Sequence, residues 1–167
     1  TKTAIEAKEE AQKIAFGPVI FQAAQSMRKT GLLKVIRDAG KLGITIPDAA
    51  VKTGLSEYGA RVLMEASLGM GVCTLNEGKY AITKTGFFLL YDDLTIANID
   101  FIDGVCYNGL GYLQESIETG KPAGLKVFGN WTTIYEGLSS LPPQVQKSWF
   151  AFDHHFSDGS FPLVQAH

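Results

Sequence analysis

Two of the chain's histidines, His154 and His155, are its best-suited groups for proton transfer or metal ligation near neutral pH. They are neighbours, so on a helix they point about 100° apart and do not converge on one metal. Either one together with Asp158 has helical spacing for a hydrogen bond or a weak metal site. No third or fourth ligand stands nearby in the sequence, so a satisfied structural histidine is expected. Cys73 and Cys106 lie far apart, with no CxxC spacing, and read as two partly buried thiols of a reducing cytosol. No serine or cysteine sits in a nucleophile motif with a base partner, so neither a catalytic residue nor a metal ligand is assigned.

A phosphate-cradling loop needs glycines between a buried strand and a helix N-terminus. The two GxG units, Gly69-Met70-Gly71 and Gly109-Leu110-Gly111, lack that context and read as helix ends. The late aromatic set Tyr135, Trp149, Phe150, Phe152 and Phe156 offers different chemistry. Core packing is its default role, but such a concentration could line an apolar pocket.

The elements that must hold these residues begin with composition. The chain has 167 residues, of which 46% are hydrophobic and 11% aromatic, enough for a packed core. A net charge of −2 gives no general attraction to nucleic acid or to an anionic membrane. No apolar run approaches the roughly 20 residues that span a bilayer. Thr1 to Lys13 is charged and alanine-rich, with no apolar signal core, so a cytoplasmic protein is expected. The chain starts with threonine rather than methionine, so its two ends need not be natural ones.

Periodicity predicts a mainly α fold. Residues 1–30 form a helical arm, with Phe16, Val19, Ile20, Ala23, Ala24 and Met27 on one stripe, Pro18 in the first turn and Gly31 as the stop. Residues 31–90 form a winged-helix module. Leu32 to Ala39 is helical, Ile44 is a short extended segment, and Thr45 and Ser56 cap two further helices. Val72–Leu75 and Tyr80–Thr83 flank a four-residue turn, Asn76–Lys79, and form the hairpin. Thr85 and Gly86 lead into a last apolar stretch, Phe87 to Leu90. Residues 91–167 are a helical connector, with helices around Ile96–Val105, Leu110–Ile117 and Thr132–Leu138 and a last one from Pro142-Pro143. A winged helix invites DNA binding, yet the third helix offers Arg61 against Glu57 and Glu65, and the wing offers Lys79 beside Glu77.

In their order and spacing, Gly31-Leu32-Leu33, Thr45 to Ala50, Gly54-Leu55-Ser56, Leu63-Met64 through Gly71-Val72 and Tyr80 to Gly86 are familiar. With Thr119-Gly120-Lys121-Pro122 and Trp149 to Ser157 they cover nearly the whole chain. The chain resembles the N-terminal region of S-adenosylmethionine-dependent O-methyltransferases that join a winged-helix dimerisation domain to a Rossmann-like catalytic domain. The resemblance implies a homodimer whose N-terminal helices interleave, and a small-molecule acceptor capped by this region. It implies that Trp149, Phe152, Asp153 and His154 line the acceptor pocket. In that family the glycine-rich cofactor loop and the base follow this region. No cofactor ligand is therefore expected in this chain, S-adenosylmethionine is expected in the parent protein, and this chain alone is expected to be inactive. The alternative is a winged-helix transcriptional regulator that senses an apolar ligand after Tyr91.

Overall fold

The computed structural model describes residues 2–157, and the chain divides into two compact units that adjoin in sequence at Asp92 and Asp93. The first unit opens with helix α1 (Ala4–Ala15), started by a capping box. Thr3 accepts from the Glu6 N–H, and the Glu6 carboxylate accepts from the Thr3 N–H at 2.8 Å, which holds that carboxyl below its ordinary pKa. None of the residues of α1 is buried. Helix α2 (Gly17–Lys29) has Pro18 in its first turn, where a missing N–H costs nothing. Its expected stripe is buried only toward the C-terminal end. Met27 is fully buried, whereas Phe16, Val19 and Ile20 are exposed.

Gly31, at φ 75°, turns the chain into helix α3 (Leu32–Asp38), whose Leu32, Leu33 and Ile36 enter the core. Helix α4 (Ile46–Thr53) is capped by Thr45, which accepts from the Asp48 N–H at 3.3 Å and donates to its carboxylate at 2.6 Å. Helix α5 (Glu57–Gly69) is capped by Ser56, which accepts from the Gly59 N–H at 3.0 Å. Each helix is short enough to need its neighbours, and Ala49, Ala60 and Met64 close the space between them.

Strands β1 (Cys73–Asn76) and β2 (Lys79–Ile82) form an antiparallel pair with Asn76 opposite Lys79. The expected four-residue turn is therefore two residues long. Its outer members pair, and Glu77 (φ 47°) and Gly78 (φ 76°) alone reverse the chain. The extended segment expected at Ile44 is present and joins the hairpin. The Ile44 N–H donates to the Tyr80 carbonyl at 2.9 Å, and the Tyr80 N–H donates back at 2.8 Å. Gly43 permits this approach: its φ is 68°, and a Cβ there would lie 2.9 Å from the Tyr80 carbonyl oxygen. Helix α6 (Lys84–Tyr91) is capped by Thr83 rather than led in by Thr85-Gly86, because the Thr83 hydroxyl reaches both the Gly86 N–H and the Gly71 carbonyl. Tyr91 of α6 lies under the Arg37 guanidinium, 4.9 Å from the ring centre.

The second unit opens with helix α7 (Asp93–Phe101), which runs into a π-helical turn (Ile102–Cys106) closed by the Tyr107 N–H on the Ile102 carbonyl at 2.8 Å. A 3₁₀ turn (Gly109–Tyr112) precedes helix α8 (Leu113–Thr119), which ends at Gly120 with φ 65°. The apolar positions Leu110, Leu113 and Ile117 are exposed. After a 3₁₀ turn (Ala123–Val127) come the short helix α9 (Ile134–Gly137) and the long helix α10 (Pro143–Ser157). Helix α10 packs along α7 and the π turn, with buried Ser148 facing Gly104 and Ala97 and Val105 also buried. The fold is mainly α throughout, with one two-stranded hairpin among the described residues.

Candidate functional site

Steps of three and four place Trp149, Phe152 and Phe156 on one face of α10. Phe101, the last residue of α7, stacks on Phe152 with ring centres 4.0 Å apart and planes 12° apart, and meets Trp149 at 5.8 Å. Tyr135 of α9 stands edge-on to Trp149 at 5.9 Å, and Phe156 tilts against Phe152 at 4.7 Å. Each such contact adds about 0.5–1.5 kcal/mol beyond burial, so the rings hold one another in register. Trp149 and Phe152 are half-buried, and Tyr135 and Phe156 are exposed.

Of the four residues predicted to line a pocket, Trp149 and Phe152 join this cluster. Asp153 follows Trp149 by four residues and shares its side of the helix, exposed, with its carbonyl accepting from the Ser157 hydroxyl at 2.6 Å. His154 is exposed and lies about 140° around the helix from Trp149. Phe150 likewise falls off the shared face and is exposed. Phe101 was not predicted: its sequence signal was one apolar helix position, and only α7 packing on α10 turns it into a ring partner.

The Asp158 half of the suggested histidine pair lies outside the described residues. Among the described residues no group of three His, Cys, Asp or Glu side chains converges on a metal position. Both cysteines are free thiols, buried at Cys73 and half-buried at Cys106, and burial pushes both pKa values up. Gly69-Met70-Gly71 ends α5, as expected. Gly109-Leu110-Gly111 instead opens a 3₁₀ turn, with Gly109 packed so closely on Gly124 that a Cβ would meet its carbonyl oxygen at 3.1 Å. Arg61, the arginine of the third module helix, is 3.2 Å from Glu57 and 3.8 Å from Glu65, so its charge is already matched.

Residues 8–80 match the family model described as the Dimerisation2-like domain. The match covers 73 of the 167 residues. It takes in α2 to α5, most of α1 and the hairpin as far as Tyr80, and so includes the exposed Ile14, Phe16, Val19 and Ile20. Beyond residue 80 the likeness to known proteins continues. The chain is 25% identical over 149 residues to L-tyrosine C(3)-methyltransferase of Streptomyces lavendulae, covering 87% of this chain and 40% of that protein. Its fold is similar to part of the S-adenosylmethionine-dependent methyltransferase SibL in its apo form (TM-score 0.75, 23% identity, 93% of this chain and 46% of that one). The structure of PigF with SAH is similar too, with a TM-score of 0.71 and 20% identity over 90% of this chain and 44% of that one. The chain thus spans less than half the length of these relatives.

Proposed function

We propose that this chain is the dimerisation and acceptor-capping region of a small-molecule S-adenosylmethionine-dependent methyltransferase. One observation carries the reading: a Dimerisation2-like domain is continuous, in one chain, with an aromatic-faced helix, and the proteins that match across both are methyltransferases about twice as long. The arm 1–30 would pair two copies, the module 31–90 would support it, and 91–167 would carry the capping helix. The exposed Ile14, Phe16, Val19 and Ile20 supply an apolar face of the kind a subunit interface buries. In this reading Trp149 and Phe152 press against the acceptor, Asp153 and His154 stand at its rim, and Phe101 backs the stack. The sequence resemblance favours an oxygen acceptor, while the curated relative is named for methylation at carbon, so methyl transfer to a small molecule is the common ground.

The described residues do not fit the cofactor. The hairpin is antiparallel, and neither GxG unit links a strand to a helix N-terminus. S-adenosylmethionine would bind the parent protein elsewhere than on these residues, in a soluble, cytoplasmic enzyme. Calorimetric titration of S-adenosylmethionine into this chain should give no binding heat, and micromolar binding would contradict the division of labour. In a full-length active enzyme, Trp149→Ala and Phe152→Ala should raise the acceptor KM at least tenfold and leave the cofactor KM within about twofold. Equal effects on both would remove the acceptor role.

A further inference from the structure

The face of the first unit around the 3₁₀ turn (Gly40–Leu42) and the hairpin plays no part in the proposed pairing arm or in the aromatic cluster. Two cavities, of about 380 and 270 Å³, adjoin there and share Leu42, Gly43 and Lys79 as walls. Leu42 is 83% exposed and Val51, on the rim of the larger cavity, 84% exposed. Large apolar side chains this exposed, with cavities beside them, form a surface on which a partner can dock. The floor is preformed. Gly43 cannot carry a side chain, because the Ile44–Tyr80 pairing brings the Tyr80 carbonyl within 2.9 Å of where a Cβ would sit.

Charge identifies the occupant. Lys52 and Lys79 line the larger cavity, and Lys41 and Lys79 line the smaller. Among the described residues none of these three ammonium groups makes an ion pair or a side-chain hydrogen bond, although the chain as a whole is acidic at −2. The acids beside them are Asp48 and Glu77, which leaves the lining one positive charge in excess, and Asp48 is held by the Thr45 hydroxyl as part of a helix cap. Three lysines outside any ion pair, in a lining with one positive charge in excess and two apolar side chains, complement an amphipathic segment that carries carboxylates beside its apolar face. A nucleic acid would leave Leu42 and Val51 facing phosphates and water, and the neighbouring α5 has no unmatched arginine to offer it.

We propose that this groove docks an acidic, amphipathic segment of a partner protein, with Leu42 and Val51 as anchors and Lys41, Lys52 and Lys79 as the charge clamp. The test uses the whole chain and a fluorescein-labelled model helix with leucines at i, i+3, i+4 and i+7 and glutamates between, read by fluorescence anisotropy. Saturable binding is expected, weakened at least tenfold by K52E together with K79E, by L42S together with V51S, and when lysines replace the glutamates of the probe. Circular dichroism and light scattering should show both variants folded and of unchanged mass, and K52A with K79A provides a milder charge deletion. The proposal is overturned by absence of saturable binding, by equal binding of the acidic and basic probes, or by variants that bind like the parent. Tighter, lysine-dependent binding of duplex DNA would reassign the face to nucleic acid, and loss of dimer mass in K52E/K79E would reassign it to a second copy of the chain.

Discussion

Phe101 carries more of the aromatic cluster than its place in the sequence suggests, because it touches both Trp149 and Phe152. Phe101→Ala should cost about 2 kcal/mol in urea unfolding, through lost ring contact and a residual cavity, with Phe101→Leu costing less than half of that. The one-face spacing of Trp149, Phe152 and Phe156 was legible from the sequence, since steps of three and four need only helical geometry. The contribution of Phe101 and the edge-on Tyr135 was not, since each depends on the packing of a separate helix. Asp153 and His154 differ in angle, Asp153 on the side of Trp149 and His154 about 140° around the helix. Cys73 leads to a pH prediction at the same scale. Its burial raises the thiol pKa above the ordinary 9.0, with a Ser67 hydrogen bond partly opposing the shift. The native state therefore holds the proton where the unfolded state loses it, and stability present below pH 9 falls as pH rises through the native value. Tyr80 is shifted the same way, chiefly by burial. Urea midpoints measured from pH 8 to 10.5 should drop, and Cys73→Ala should flatten the decline without abolishing it.

Among the elements, short polar signals proved the most readable. Thr45 and Ser56 cap α4 and α5 where a hydroxyl stands before an apolar run, and Gly31, the expected stop of the arm, adopts the left-handed conformation, as do Gly54 and Gly120 at the ends of α4 and α8. Ser56→Ala should lower stability by about 1 kcal/mol, read from chemical denaturation, because the Gly59 N–H loses its acceptor. The hairpin turn was misjudged because its first residue is glutamate, which rarely takes φ near 47°, so nothing in the sequence announced a two-residue reversal. Glu77→Asn should raise stability by about 0.5 kcal/mol, since asparagine tolerates that conformation and Asn-Gly is the favoured pair for this turn. A stability loss on that substitution would mean that Glu77 makes compensating contacts. The π turn at Ile102–Cys106 had no local signature either. It lets α7 continue past Phe101 while keeping Gly104 against Ser148 of α10, a match between two helices rather than a property of one.

On the scale of the whole molecule, the balance of buried and exposed apolar residues governs the account. The core of the first unit is complete without α1, which buries nothing, and with only the C-terminal end of α2. Ile5, Ile14, Phe16, Val19 and Ile20 form an exposed apolar arm of the kind a subunit interface would bury. The match of residues 8–80 to the Dimerisation2-like domain supports the proposed pairing through that arm. Self-association through the arm is the central claim, and size exclusion with multi-angle light scattering tests it most directly. At tens of micromolar the chain should elute with about twice its 18.1 kDa mass, and Ile14→Glu with Val19→Glu should return it to monomer without loss of helical signal. A parent chain that stays at its single-chain mass up to hundreds of micromolar would contradict the account.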